Sequence, residues 1–277
     1  MIQEFLQYEK TVKNLADNTV RAYEEDMRAF ARHLKANTTI KRWSDVHKHD
    51  IDNYLSCQHN AGRKPASIRR SLASIRAFYN YAMNQGLTST NPARYCEQPK
   101  KAQDLPNVID TQAIESYIAD ERKPMALRAL VAVLYETGIR ISEATSLQAR
   151  DINWREHTMR VYGKGLKARI VVFGNWSEKL LTAYLDNGKR TGDIWQGAAA
   201  NQRAIRYEIH RAFRESATNG KASPHTIRHT YATRMLEQGM PIQTLQALLG
   251  HTHIETTQQY QRTSTQTLVR DYQRATA

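Results

Sequence analysis

Cysteine is almost missing from this sequence. Cys57 and Cys96 are the only two in 277 residues, and they show no metal-type spacing, so a reduced, cytoplasmic chain is the default expectation. Long apolar runs are missing too. No stretch approaches the roughly 20 apolar residues that span a bilayer, and the N-terminal MIQEFLQYEKTVK lacks the apolar core of a signal peptide. Nothing points to a membrane. There is no internal repeat and no low-complexity tract. Acidic residues are in deficit: 27 Asp and Glu stand against 40 Lys and Arg, a net charge of +13. An excess of that size favours a polyanionic partner, most commonly nucleic acid, although charge alone does not separate nucleic acid from an acidic membrane surface.

What is present is long enough for one large or two ordinary domains. Residues 1–90 read as helices throughout. In DNTVRAYEEDMRAFARHLK, Val20, Tyr23, Met27, Phe30 and Leu34 recur at helical spacing after a cap at Asp17 or Asn18. The opposite face carries Arg21, Arg28, Arg32 and Lys35. Another helix starts near Pro65, runs through Ile68, Leu72, Ile75 and Tyr79, carries Arg69, Arg70 and Arg76, and stops at Gly86. Weaker patterns around 2–13 and 47–59 complete a four-helix bundle. These seven basic residues are candidate DNA contacts, with a solvated helix face as the equally plain alternative. Residues 91–107, with three prolines and no periodicity, read as an extended linker. Residues 1–100 carry 16 basic and 10 acidic residues, so +6, which leaves +7 for the remainder. Both parts are basic, as a two-lobed clamp on a duplex requires.

Residues 108–277 are mixed. Helices are expected near 111–120, over MALRALVAVLYET ending at Gly138, near 177–186 and near 201–216. TMRVY (158–162) and RIVVF (169–173) read as a β-hairpin around GKGLKA. In SPHTIRHTYATRMLEQG, Ser223 is the cap, Pro224 the first helical residue and Gly239 the stop, and PIQTLQALLG repeats that grammar.

Several residues here can carry chemistry. His225 and Arg228 share a helix face. Arg140 lies just past the glycine in ETGIRISEA, where its fork can meet a phosphate. Lys164 stands between two glycines at the hairpin tip. His225, His229, His251 and His253 raise a zinc site, but no cysteine is nearby and HTIRH places Arg228 where HExxH has its glutamate, so no metal is expected. Tyr260 ends LLGHTHIETTQQY. Its phenol, roughly 0.1% ionised at pH 7 when unperturbed, is a weak nucleophile unless cations favour the phenolate. Gap-filling by the tyrosine stays open on position alone.

Four stretches, TGIRISEA (137–144), GKGLKAR (163–169), HTIRHTYAT (225–233) and LGHTHIETTQQY (249–260), resemble in order and spacing the boxes of the tyrosine recombinases, or integrase family, most closely its short Xer-like members. Ile227 stands where leucine is commoner. The resemblance implies a mainly α chain: a helical SAM-like core-binding domain, a linker, and a mainly helical catalytic domain with a small antiparallel sheet, the DNA breaking-rejoining fold. It further implies that Arg140 and Arg228 hold the scissile phosphate and that His225 and His251 hydrogen-bond it. Lys164 would protonate the leaving 5′-oxygen, Glu143 would brace the site, and Tyr260 would be the nucleophile of a 3′-phosphotyrosine link, without metal, cofactor or ATP. The implied partners are double-stranded DNA, three further protomers in a tetramer on two sites, and a paralogous recombinase or accessory protein. The tail 261–277, with Leu268, Val269 and Tyr272, would dock on a neighbouring protomer, and the location would be the nucleoid. A DNA-binding protein that kept the fold without the activity is the alternative from another class.

Overall fold

A computed structural model of the chain describes residues 1–98, 107–163, 168–186, 192–250 and 265–276. The chain divides into two compact units, one holding residues 1–98 and the other the described residues from 107 onward.

Four helices build the first unit: α1 (Ile2–Thr11), α2 (Asp17–Asn37), α3 (Lys48–Asn60) and α4 (Pro65–Asn84). The expected apolar stripe of α2 is its buried face, with Met27, Phe30 and Leu34 packed against Phe5, Ile51, Leu72, Ile75 and Phe78. The start of α2 differs in detail from the expectation. Asp17 is the first helical residue rather than the cap, and Ala16 precedes it with no side-chain bond. Asp17 sets its charge against the positive end of the helix and pairs with Lys10 at 3.0 Å. The helix α4 begins with Pro65 at its first position, where a missing N–H costs nothing.

Residues 91–98 belong to this unit and do not form the first part of an extended linker. Asn91 accepts from the Ala93 N–H and donates to Asn80 Oδ1 and the Arg76 carbonyl, which winds Pro92–Tyr95 into a 3₁₀ turn. The Arg76 guanidinium closes the turn from the other side by donating to the Ala93 and Cys96 carbonyls, at 2.9 and 2.5 Å. Ala93 and Cys96 are thereby buried in the bundle core.

The second unit is organised on α6 (Met125–Thr137), whose residues Ala129–Leu134 are buried on every side. A helix apolar all round must be covered all round. It is covered by α5 (Thr111–Ala119), α8 (Asn175–Tyr184) and α10 (Pro224–Glu237), with α7 (Ile141–Thr145) leaving its C-terminal end and α9 (Gln202–Phe213) packed beside α5. The expected hairpin is β2 (Thr158–Tyr162) with β3 (Ala168–Val172), antiparallel, pairing Arg160 with Ile170 and Val161 with Arg169. A two-residue strand β1 (Ile152–Asn153) extends it on the far side of β2. A strand that short has no period to recognise and exists by pairing alone.

The helix α8 starts at Asn175, earlier than its apolar pattern. No side chain of its own caps it, but the buried carboxylate of Glu136 on α6 accepts from the N–H groups of Gly174, Trp176 and Ser177 at 2.8–3.1 Å. Ser223 caps α10 as its sequence promises, accepting from the Thr226 N–H at 3.1 Å. Next comes α11 (Ile242–Leu249), ended by Gly250 in the left-handed region.

The C-terminal helix Thr265–Thr276 lies on its own domain. Leu268, Tyr272 and Ala275 are buried against Val172, Met235, Met240, Leu245 and Leu248, and Asp271 accepts from Thr244 at 2.8 Å. Leu268 and Tyr272 of the tail are thus buried in this cluster, and Val269 is half-buried on it.

Candidate active site

Two glycines bring the cationic side chains together. Gly138 ends α6 at φ +62°, and a Cβ there would enter the Tyr231 ring, so only glycine lets the chain turn so close to α10. The turn delivers Arg140 to the N-cap position of α7. Glu143 completes a capping box by accepting from the Arg140 backbone N–H at 2.8 Å, and its other oxygen takes Arg140 Nη1 at 3.0 Å. The Arg140 side chain nevertheless remains 46% exposed, against 3% for Glu143. One end of it is tethered and the rest is open.

Arg228 on α10 is buried. Its two terminal nitrogens donate in different directions, Nη1 to the Gly138 carbonyl and Nη2 to the Leu249 carbonyl, both at 2.7 Å. It therefore ties the turn before Arg140 to the end of α11. Of its five N–H donors, three make no bond among the described residues. Burial lowers its pKa to about 10, with help from the charges of Arg140 and Arg169. For a guanidinium that is a large depression, and it reports burial first and neighbouring cations second.

His225 stands one helical turn before Arg228, its ring edge-on to that of His229 with centroids 4.4 Å apart. Both rings reach solvent. Desolvation on their protein side lowers the pKa of each; His225 is lowered further by His229, Arg228 and Arg140, and His229 by Arg228. The Arg140 charge thus bears on His225 across two separate elements.

Arg169 on β3 is the residue that the sequence left unremarked inside GKGLKAR. Its Nη1 and Nη2 meet the two Glu143 oxygens at 2.8 Å each, and its Nε donates to the Leu248 carbonyl at 2.7 Å. Gly250, at φ +63°, lies flat on the Arg169 side chain, where a Cβ would come within 2.9 Å. Burial raises Glu143, but the Arg169 fork and the Arg140 N–H overcome this and hold its carboxyl at about 2.

Four sequence candidates thus gather in one place: Arg140, Glu143, His225 and Arg228. Lys164, His251 and Tyr260 lie outside the described residues. Arg169, five residues after Lys164, and Gly250, the residue before His251, are both at this cluster. Among the described residues no group of three or more His, Cys, Asp or Glu side chains is placed to hold a metal ion.

The candidate DNA contacts of the first unit separate into two kinds. Arg21, Arg28, Arg32 and Lys35 are exposed on α2, with Arg28 paired to Glu24 at 2.6 Å. Arg70 and Arg76 are occupied structurally. Arg70 forks onto the buried Asp26 at 3.0 Å through two nitrogens, Ser74 adds a bond to the same carboxylate, and Arg76 holds the 93–96 turn. Arg69 is half-buried on α4. A further basic face escaped the sequence reading: α9 exposes Arg203, Arg206, Tyr207 and His210, and Arg214 at its C-cap continues the row. The three- and four-residue spacing was the available signal, hidden because the buried Ile205, Ile209 and Phe213 dominate the pattern.

Comparison with known proteins agrees with this architecture. Residues 107–267 match the phage integrase family, and residues 2–86 match the N-terminal SAM-like domain of phage integrases. Tyrosine recombinase XerC of Pelobacter propionicus is 34% identical over 284 residues, covering 99% of this chain and 94% of that protein. Tyrosine recombinase XerD of Listeria innocua serovar 6a is 30% identical over 275 residues, covering 94% and 93%. Among solved structures, the Tn1549 transposon integrase in complex with a circular intermediate DNA superposes with a TM-score of 0.73 at 17% identity over 94% of each chain. A lambda integrase dimer bound to a COC′ core site gives 0.70 at 19% identity, covering 93% of this chain and 76% of that one. The chain belongs to the phage integrase family of tyrosine recombinases, and its similarity to the Xer-type members runs over nearly its whole length.

Proposed function

We propose that this protein is a site-specific recombinase that breaks and rejoins double-stranded DNA through a tyrosine nucleophile. The observation that supports this most strongly is the gathering of Arg140, Arg228 and His225 around the Gly138 turn, where burial and then the neighbouring positive charges lower His225 and Arg228. A phosphodiester would relieve that repulsion, and more so in the transition state. In-line attack adds negative charge to the equatorial oxygens, and fixed donors aimed there stabilise it most.

In this reading Arg140 and Arg228 clamp the scissile phosphate, and His225 and His251 bond its oxygens and assist proton transfer. Tyr260 attacks phosphorus to give a 3′-phosphotyrosine, and Lys164 protonates the departing 5′-oxygen. The P–O bond formed is equivalent to the one broken, so a 5′-hydroxyl reverses the step with neither ATP nor metal. Exchange between two duplexes requires four protomers on two sites. A paralogous recombinase or accessory protein is a further proposed partner, and the place of action is the cytoplasm, on the nucleoid. The exposed α2 residues Arg21, Arg28, Arg32 and Lys35, and the α9 face, bind backbone phosphates.

The test is trapping on a nicked duplex carrying the recombination site, which binding selection would provide. Wild type should give a covalent protein–DNA species in the presence of EDTA, and Tyr260→Phe should bind and give none. Binding by both without a covalent species would leave the fold as a DNA-binding scaffold and overturn the enzymatic reading.

A further inference from the structure

We infer that Arg169 is a positioning residue for the reaction: by neutralising Glu143 it leaves the Arg140 guanidinium free for the phosphate. This rests on the recombinase reading above. Glu143 is a buried carboxylate held ionised, and it faces two arginines. If Arg140 alone answered that charge, a closed Arg140–Glu143 pair would be the best arrangement, with the fork turned inward and its positive charge cancelled. The structure has a different division. Arg169, only 13% exposed, takes both carboxylate oxygens bidentately at 2.8 Å, while Arg140 gives Glu143 one side-chain nitrogen and its backbone N–H. The remaining Arg140 donors make no bond among the described residues, on a side chain nearly half exposed.

The same guanidinium reaches a third element. Its Nε bond to the Leu248 carbonyl, beside the Arg228 bond to the Leu249 carbonyl, satisfies two of the orphan carbonyls that end α11, where a cation is also favoured by the helix dipole. Gly250 seals the guanidinium from above. One side chain thus joins β3, α7 and α11 at the point where the chain leaves for His251 and Tyr260. Arg169 is too enclosed to need DNA for any of these bonds, so its part is played before substrate arrives.

The experiment measures single-turnover covalent trapping on the nicked duplex, with DNA affinity read separately, for wild type, Arg169→Ala, Glu143→Gln and the Arg169→Ala/Glu143→Gln pair. Arg169→Ala should slow trapping about 10²-fold, the order expected when a reacting group is misplaced by an ångström, with affinity changed less than threefold. Removing the orphaned charge in the double variant should recover at least tenfold of that loss, an effect a purely structural arginine would not produce. Wild-type trapping speed in Arg169→Ala, or a double variant as slow as Arg169→Ala, overturns the inference and leaves the recombinase reading intact. Wild type that binds and never traps brings down both. Should Arg169→Ala fail to fold, Arg169→Lys retains the charge without the fork and should trap within tenfold of wild type; a folded lysine variant slowed 10²-fold or more refutes the charge argument.

Discussion

Replacing Arg228 by methionine separates what this residue does for the fold from what it does for the reaction. Methionine keeps most of the volume and removes both the charge and the donors. Two effects oppose each other. The carbonyls of Gly138 and Leu249 lose their partners, and each buried orphan costs about 1–3 kcal/mol, so roughly 2–6 together. Against this, the depression of Arg228 from 12.5 to about 10 means that burial and its cationic neighbours already penalise the charge by roughly 3 kcal/mol, which methionine relieves. The difference runs from about −1 to +3 kcal/mol, and because the Gly138 and Leu249 residues are both buried we expect its loss side, up to about 3 kcal/mol. For a unit of this size such a loss lowers the midpoint by up to about 12 °C, small enough to leave the variant folded at 25 °C. The rate of covalent trapping should meanwhile fall at least 10²–10³-fold, as for loss of one transition-state donor. Calorimetry of the full chain, resolving the transition of the second unit, gives the first number, and single-turnover trapping gives the second. Duplex DNA should raise the wild-type midpoint more than that of the variant, because the phosphate relieves a repulsion that only the arginine has. An unchanged or raised midpoint in Arg228→Met without DNA would refute the claim that carbonyl capping outweighs charge crowding here.

Other outcomes follow from the same geometry. Arg70→Ala should destabilise the first unit by about 3–5 kcal/mol, since it strands the buried Asp26 carboxylate, whereas charge reversal at Arg21, Arg28 and Arg32 should change stability by less than about 0.5 kcal/mol each. Those reversals should instead weaken DNA binding and flatten its salt dependence by about 0.9 for every phosphate left unneutralised, measured by titration at several salt concentrations; an unchanged slope would make the stripe a solvated face. In the DNA-free protein, NMR should find His225 and His229 titrating below 6.5, with duplex raising His225 as phosphate offsets its cationic neighbours; a free His225 midpoint at or above 6.5 contradicts the electrostatic picture. Glu143 is depressed from 4.5 to about 2, so its share of stability is fully present above pH 4.5 and disappears as pH falls towards 2. That share is roughly 3 kcal/mol, and Glu143→Gln should remove it from the acid limb of the unfolding curve; identical acid limbs would refute it.

Most of the secondary structure is legible in the sequence because its signals are local. The α2 stripe, Pro65 and Gly86 around α4, the Ser223–Pro224 start of α10 and the glycines after α6 and α11 are each settled within a few residues, by backbone geometry and periodic burial. Arg140 and Arg228 are legible as chemistry by the boxes around them. Their convergence is not, because it depends on Gly138 lying against Tyr231 and on carbonyls 21 and 90 residues from Arg228. The other differences share that cause. Arg76 and Arg70 look like surface charge until the 93–96 turn and Asp26 arrive from elsewhere in the chain. Asn175 begins a helix only because Glu136 is brought to its N–H groups. Arg169 is one basic residue among several near a hairpin tip until Glu143, Leu248 and Gly250 close around it. Periodicity reports which face of an element is buried. Which buried polar group satisfies which is a question of long-range hydrogen bonding, and that only the tertiary structure decides.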